Sequence, residues 1–156
     1  MPDGPRYDDD FYAWTKYQAE VLRTLRTKDN RFDRENLVEE IEDLGQSYRD
    51  AARSQVIRIL EHLLKLAQSP AADPRNGWMG SIAEARDALN DQLSATLRLD
   101  VEAGWADLYR RARHRAALGL SRYGEHGAVD SLPETSPYSL DDVLRDEWYP
   151  EPLDDP

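Results

Sequence analysis

Four carboxylates crowd into five positions of the segment "LVEEIEDLG", where Glu39, Glu40, Glu42 and Asp43 surround Ile41. Such a cluster can hold a cation, run acid/base chemistry, or simply wet one side of a helix. Successive helical residues are rotated by about 100°, so with Ile41 facing a core, Glu40 and Glu42 flank it at opposite edges of the apolar stripe. Glu39 and Asp43 then point to solvent. Groups splayed in this way cannot grip one ion together, and at most two of them can share one. At a helix seam Glu40 and Glu42 would accept hydrogen bonds from a neighbouring Trp, Tyr or Arg, as a buried carboxylate must. They are expected to clamp adjacent helices.

The alternative chemistry pairs Glu40 or Glu42 with His62, which lies in "LEHLLK" near the edge of the apolar stripe. A histidine beside a carboxylate can act as a general base or as a metal ligand. These three residues are the candidates for catalysis and for metal binding. The familiar metal signatures are missing. Carboxylate-bridged dimetal bundles use inward Glu-x-x-His pairs, whereas Ile59, Arg111 and Tyr123 stand three positions before His62, His114 and His126. There is no His-Glu-x-x-His, phosphate-cradling glycine loop or Gly-x-Ser-x-Gly elbow. Neither a cofactor nor a metal is predicted, and the balance is against an enzyme.

A second cluster, "RRARHR", supplies Arg110, Arg111, Arg113 and Arg115 as candidates for binding a partner. Cations near a helix C-terminus are also stabilised by the macrodipole by about 0.3–1 kcal/mol each. Without interleaved aromatics the cluster makes a poor platform for single strands. Phe11, Tyr12, Trp14 and Tyr17 recur at helical spacing and fit a core better than a ligand pocket.

All of these groups ride on helices. Asp8 to Asp10 precede a helical stripe of Phe11, Trp14, Gln18, Val21, Leu22 and Leu25, which predicts a first helix over about 9–27. No proline interrupts 34–68, where Leu37, Ile41, Leu44, Tyr48, Ala52, Val56, Ile59, Leu63 and Leu66 step by three or four. One very long helix is predicted there, with Gly45 marking a close approach of a neighbouring helix. After the turn "SPAADPRNG" a third helix opens at Trp78 and a fourth runs through Val101 to Ala116. A break is expected near Leu99–Asp100, and Gly119 is expected to end the fourth helix. "SLDD", Ser139 to Asp142, has the form of a capping box for a short C-terminal helix. The fold class is all-α: an antiparallel bundle of about four main helices in one domain, 1–156, with loose termini at about 1–6 and 151–156.

Composition narrows the functional classes. The chain has 156 residues, no cysteine and a formal net charge of −11. Disulfide frameworks, thiolate metal sites and thiol nucleophiles are thereby excluded. A field this negative repels phosphate backbones, so nucleic acid is disfavoured as a partner. The acidic start "MPDGPRYDDD" is not a secretory signal and no run is long enough to span a membrane, so a cytoplasmic location is expected.

Several words of the sequence, "YDDDFYAWTKYQA", "ENLVEEIEDLG", "ILEHLLKL", a tryptophan opening the third helix and "SPYSLDDVL" followed by "WYP", occur in a recognisable order. Over about residues 7–150 the chain resembles the bacterial family catalogued as domain of unknown function 29. The resemblance implies an all-helical fold with no established activity, and it carries over no catalytic residues. The function expected on all these grounds is protein–protein contact, with a protein partner or a second copy. A His/Glu ligand-binding or enzymatic bundle and nucleic-acid binding or mimicry are the alternatives.

Overall fold

The computed structural model describes residues 3–152; positions 1–2 and 153–156 of the expected loose termini lie outside the described residues. Among the described residues there are seven helices and no strand, as an all-α helical-bundle fold requires. They are α1 (Phe11–Thr24), α2 (Arg34–Gln68), α3 (Arg75–Gln92), α4 (Ala95–Ala103), α5 (Trp105–Arg122), α6 (His126–Asp130) and α7 (Leu140–Leu144). No helix among the described residues is long and apolar enough to cross a membrane.

The very long second helix has the expected bounds, 34–68. The expected break near Leu99–Asp100 lies elsewhere. α3 stops at Gln92 and α4 restarts at Ala95, where the Ser94 hydroxyl accepts from Leu97 N at 3.3 Å. A serine that caps locally offers the backbone a better exit than Asp100, whose carboxylate is engaged by Arg49. Gly119 does not end the last main helix. α5 runs on to Arg122, and the left-handed conformation falls to Gly124, at φ 73°. Gly119 instead leaves room for Lys65, whose Nζ lies 2.8 Å from where a Cβ would stand.

The chain divides into two compact units, one formed by residues 1–52 with 92–101 and the other by 53–91 with 102–156. In the first, α1 and the start of α2 form an antiparallel hairpin. Asp10 caps α1 by accepting from Ala13 N at 3.0 Å, and its second carboxylate oxygen accepts from Thr96 N at 3.2 Å. Burial pushes the Asp10 carboxyl up, but hydrogen bonds from Ala13, Thr96 and Ser94 outweigh that effect and hold it below the usual range. Close helix approach at Gly45 is present as expected. A Cβ there would meet the Thr15 side chain, with Thr15 Cβ 3.1 Å away and its hydroxyl closer still.

The hairpin's buried positions are not the ones the apolar periodicity selects. On α1 they are Tyr12, Thr15 and Ala19; Val21 and Leu25 of the expected stripe are exposed. On α2 Gly45 and Ala52 are buried while Leu37 and Leu44 are exposed. Where the two helices pack most closely, at Thr15 and Gly45, small residues win the inner face. The larger apolar side chains are displaced to one flank.

In the second unit α3 runs antiparallel to α2, with Arg58 Nε donating to Ser81 Oγ at 2.8 Å and Arg75 to the Leu66 carbonyl at 2.7 Å. α5 runs parallel to α2, as the alternation of a bundle demands. Arg53 meets Gly104 and Lys65 meets Gly119. Ile59, Leu60 and Leu63 of α2, Ile82 and Leu89 of α3, and Leu108 and Leu120 of α5 are fully buried or nearly so. This is the apolar seam the periodicity of 56–66 predicts.

Candidate functional site

Glu42 lies on the hairpin and forms an ion pair with Arg23 of α1, so it joins the two helices. Glu40 is exposed, as are Glu39 and Asp43. The four acids are therefore one interhelical contact and three wet positions. Arg34 at the start of α2 donates to the carbonyls of Leu22 and Arg23, tying the hairpin loop shut. Across the other end Arg49 Nε donates to Asp100 at 2.8 Å and the Tyr48 hydroxyl to the Gln92 carbonyl at 3.1 Å.

His62 belongs to the second unit. Burial pushes its pKa down to about 4; Glu61 opposes this, and Lys65 and Arg58 reinforce it. Its Nδ1 is buried and has no hydrogen-bond partner among the described residues. The neighbouring carboxylate, Glu61, is taken by Lys65 at 2.9 Å. Glu40 and Glu42 are 22 and 20 positions away along the same helix, whereas side chains on one helix meet at spacings of three or four. The three candidate residues for catalysis and metal binding are thus divided between two units. Among the described residues no group of three or more His, Asp or Glu is placed to hold a metal ion.

The arginine cluster is largely engaged within the chain. Arg110 and Arg111 both reach Asp107, at 2.6 and 3.0 Å. The Arg110 hydrogen bond, helped by the charge of Arg111, keeps the Asp107 carboxyl below its usual range. Arg113 turns toward the C-terminal segment and donates from Nε to the Pro133 carbonyl at 2.9 Å and from Nη2 to the Leu132 carbonyl at 3.2 Å. Arg115 remains exposed.

That C-terminal segment is held chiefly through its backbone. Tyr109 donates to the Pro133 carbonyl, and Trp105 Nε1 to the Tyr138 carbonyl at 3.1 Å. Arg86 is 1% exposed and donates to the carbonyls of Val143 at 2.8 Å, Trp148 at 2.9 Å and Asp142 at 3.2 Å. The Val143 and Asp142 carbonyls belong to the last turn of α7, where a cation is favoured, and that of Trp148 lies beyond it. The guanidinium also stands over the Tyr149 ring, 5.4 Å from its centroid. Partly buried Tyr138 has its hydroxyl pKa pushed up to about 12, by burial first and then by Tyr109 and Asp142, so it stays a neutral donor to the Leu63 carbonyl at 3.4 Å. The capping box at Ser139 is formed in full, with Asp142 N donating to Ser139 Oγ at 3.2 Å and Ser139 N to Asp142 at 2.9 Å.

Arg86 was not among the residues the sequence singled out. The signal was present: it shares a face with Ile82, Ala85 and Leu89, and a cation on an apolar stripe must find acceptors.

A family model described as "Domain of unknown function DUF29" matches residues 6–149. The chain belongs to that family. The words that carry the resemblance now have places in the fold of this DUF29 chain: the capped start of α1, the Glu42 and Gly45 contacts, and the segment held by Arg86. A crystal structure of an alpha-helical protein of unknown function from Rhodospirillum rubrum is similar, with a TM-score of 0.82 and 24% identity over 93% of this chain and 92% of that one. Likeness at that identity speaks for the fold alone. No curated protein matches the chain.

Proposed function

We propose that this DUF29 protein acts in the cytoplasm by protein–protein contact, through the outer flank of the α1–α2 hairpin. One observation carries the reading: Val21, Leu25, Leu37 and Leu44 are all exposed on the hairpin, whose inner positions are taken instead by Tyr12, Thr15, Ala19, Gly45 and Ala52. Single exposed apolar side chains are ordinary, whereas a contiguous set marks a contact surface. The charged clusters offer less. Glu42 is occupied by Arg23, Arg113 by backbone carbonyls, and Arg110 and Arg111 by Asp107.

The test is quantitative affinity capture from the native cell lysate with the wild-type chain and with Leu37→Asp/Leu44→Asp. The wild type should enrich a defined protein that the variant loses. Equal recovery by both, or none by either, would overturn the proposal.

A further inference from the structure

We infer that the occupant of this hairpin flank is a second copy of the same chain, a deepening that rests on the contact function proposed above. α1 carries two apolar stripes. Tyr12, Thr15 and Ala19 fill the inside of the hairpin, and Phe11, Trp14, Gln18, Val21 and Leu25 repeat at alternating steps of three and four on the flank. Leu37, Ile41, Leu44 and Tyr48 repeat in the same way on α2. This is the spacing of helices that pack side by side at about 20°.

Both stripes lie on one side of the hairpin. In an antiparallel pair, residues rotated in the same sense from the facing positions come out on the same side, and the rings of Phe11 and Tyr48 meet at 4.9 Å. The opposite side is polar, with the Arg23–Glu42 pair and Lys16. Tyr7 closes the aromatic end by packing edge-on against Phe11 and Trp14 at 5.2 and 4.9 Å. The aliphatic end stays open.

Three features select a copy of the chain as the partner. No residue of either stripe is charged, in a chain where one residue in three is; two such faces meet without burying like charges, despite the net charge of −11. The side chain of the polar member, Gln18, makes no hydrogen bond among the described residues. A carboxamide both donates and accepts, so it is satisfied by its own image across a two-fold axis, as polar residues at core positions of coiled coils are. That axis crosses the helices at Gln18, so each α1 lies antiparallel over the other copy's α1, with Phe11 opposite Leu25 and Trp14 opposite Val21. The basic Lys28 beyond α1 then falls beside the exposed Asp8 before the other copy's α1.

The size also fits a modest homodimer. Val21, Leu25, Leu37 and Leu44 keep 38%, 44%, 42% and 49% of their surface in water, and Tyr7 56%. That amounts to roughly 400–500 Å² per copy and roughly 800–1,000 Å² for the pair, below the standard size and in the range of weak, transient interfaces.

The experiment is sedimentation equilibrium of the full chain over about 1–500 μM, a range suited to weak association. The wild type should show a monomer–dimer equilibrium with a dissociation constant of about 10–300 μM. Leu44→Asp should weaken it by at least about tenfold; the position is already exposed, and an unchanged circular dichroism melt verifies the fold. Gln18→Glu and Gln18→Lys should each dissociate alone and associate when mixed. A wild type that stays monomeric throughout overturns the inference, and so does a dimer indifferent to both positions. If the wild type is monomeric yet captures a different protein through Leu37 and Leu44, the second copy is refuted and the contact function stands. If it also captures nothing, both fall.

Discussion

Protonation of His62 should make the protein measurably acid-sensitive. In the folded chain burial holds its pKa near 4, against 6.5 for the free side chain. Because the folded value is depressed, the folded state is at full advantage above about pH 6.5. Stability is lost as pH falls from there, and the loss is complete below about pH 4. The slope in this window is at most about 1.4 kcal/mol per pH unit, since only the unfolded chain takes up the proton. Full conversion of the shift would give about 3 kcal/mol. His62 is only partly buried, so solvent screening brings the expected loss to about 1–2 kcal/mol. The assay is urea unfolding at several pH values between 7.5 and 4, for the wild type and for His62→Gln. Carboxylates titrate in both proteins, so the difference between the two stability curves isolates the histidine. That difference should shrink, or change sign, by about 1–2 kcal/mol toward low pH. Parallel curves, or an imidazole proton resonance titrating at or above 6.5, would refute the burial argument.

Two further substitutions probe the fold. Arg86→Met should cost about 3 kcal/mol, because one buried and two partly buried carbonyls lose their donor. Hydrogen exchange should then speed up in 140–149 before it does in α2 or α5, and a uniform change across the chain would contradict the clamp. Gly45→Ala should destabilise by about 1–3 kcal/mol through overpacking against Thr15. Adding Thr15→Ala should return at least half of that loss, since residues in contact couple; strict additivity in the double mutant would disprove the close approach.

Elements governed by local chemistry were legible in the sequence. The long α2 follows from a proline-free run with unbroken three- and four-residue steps, and the Ser139–Asp142 capping box from four adjacent residues. Gly45 announced a helix contact because glycine is costly in a helix without one. The α3–α4 break was misplaced because Ser94 and Asp100 are both plausible caps, and the choice depends on Arg49, about fifty residues away in sequence. The buried side of α1 was misjudged for a related reason. Periodicity finds the most apolar stripe, whereas the inner face of a tight hairpin goes to whichever small residues allow approach. The grip on the C-terminal segment left the weakest trace, because its acceptors are backbone carbonyls and every residue carries one.

That grip separates the demands on residues 132–149 into two kinds. Leu132, Leu140 and Val143 must fill buried space. Between them, Arg86, Tyr109, Arg113 and Trp105 engage carbonyl oxygens. Side chains in these intervals can change with little effect on the holding contacts. A single inserted or deleted residue would shift every downstream carbonyl relative to its donor. The segment is therefore constrained as a measured length of backbone more than as a sequence.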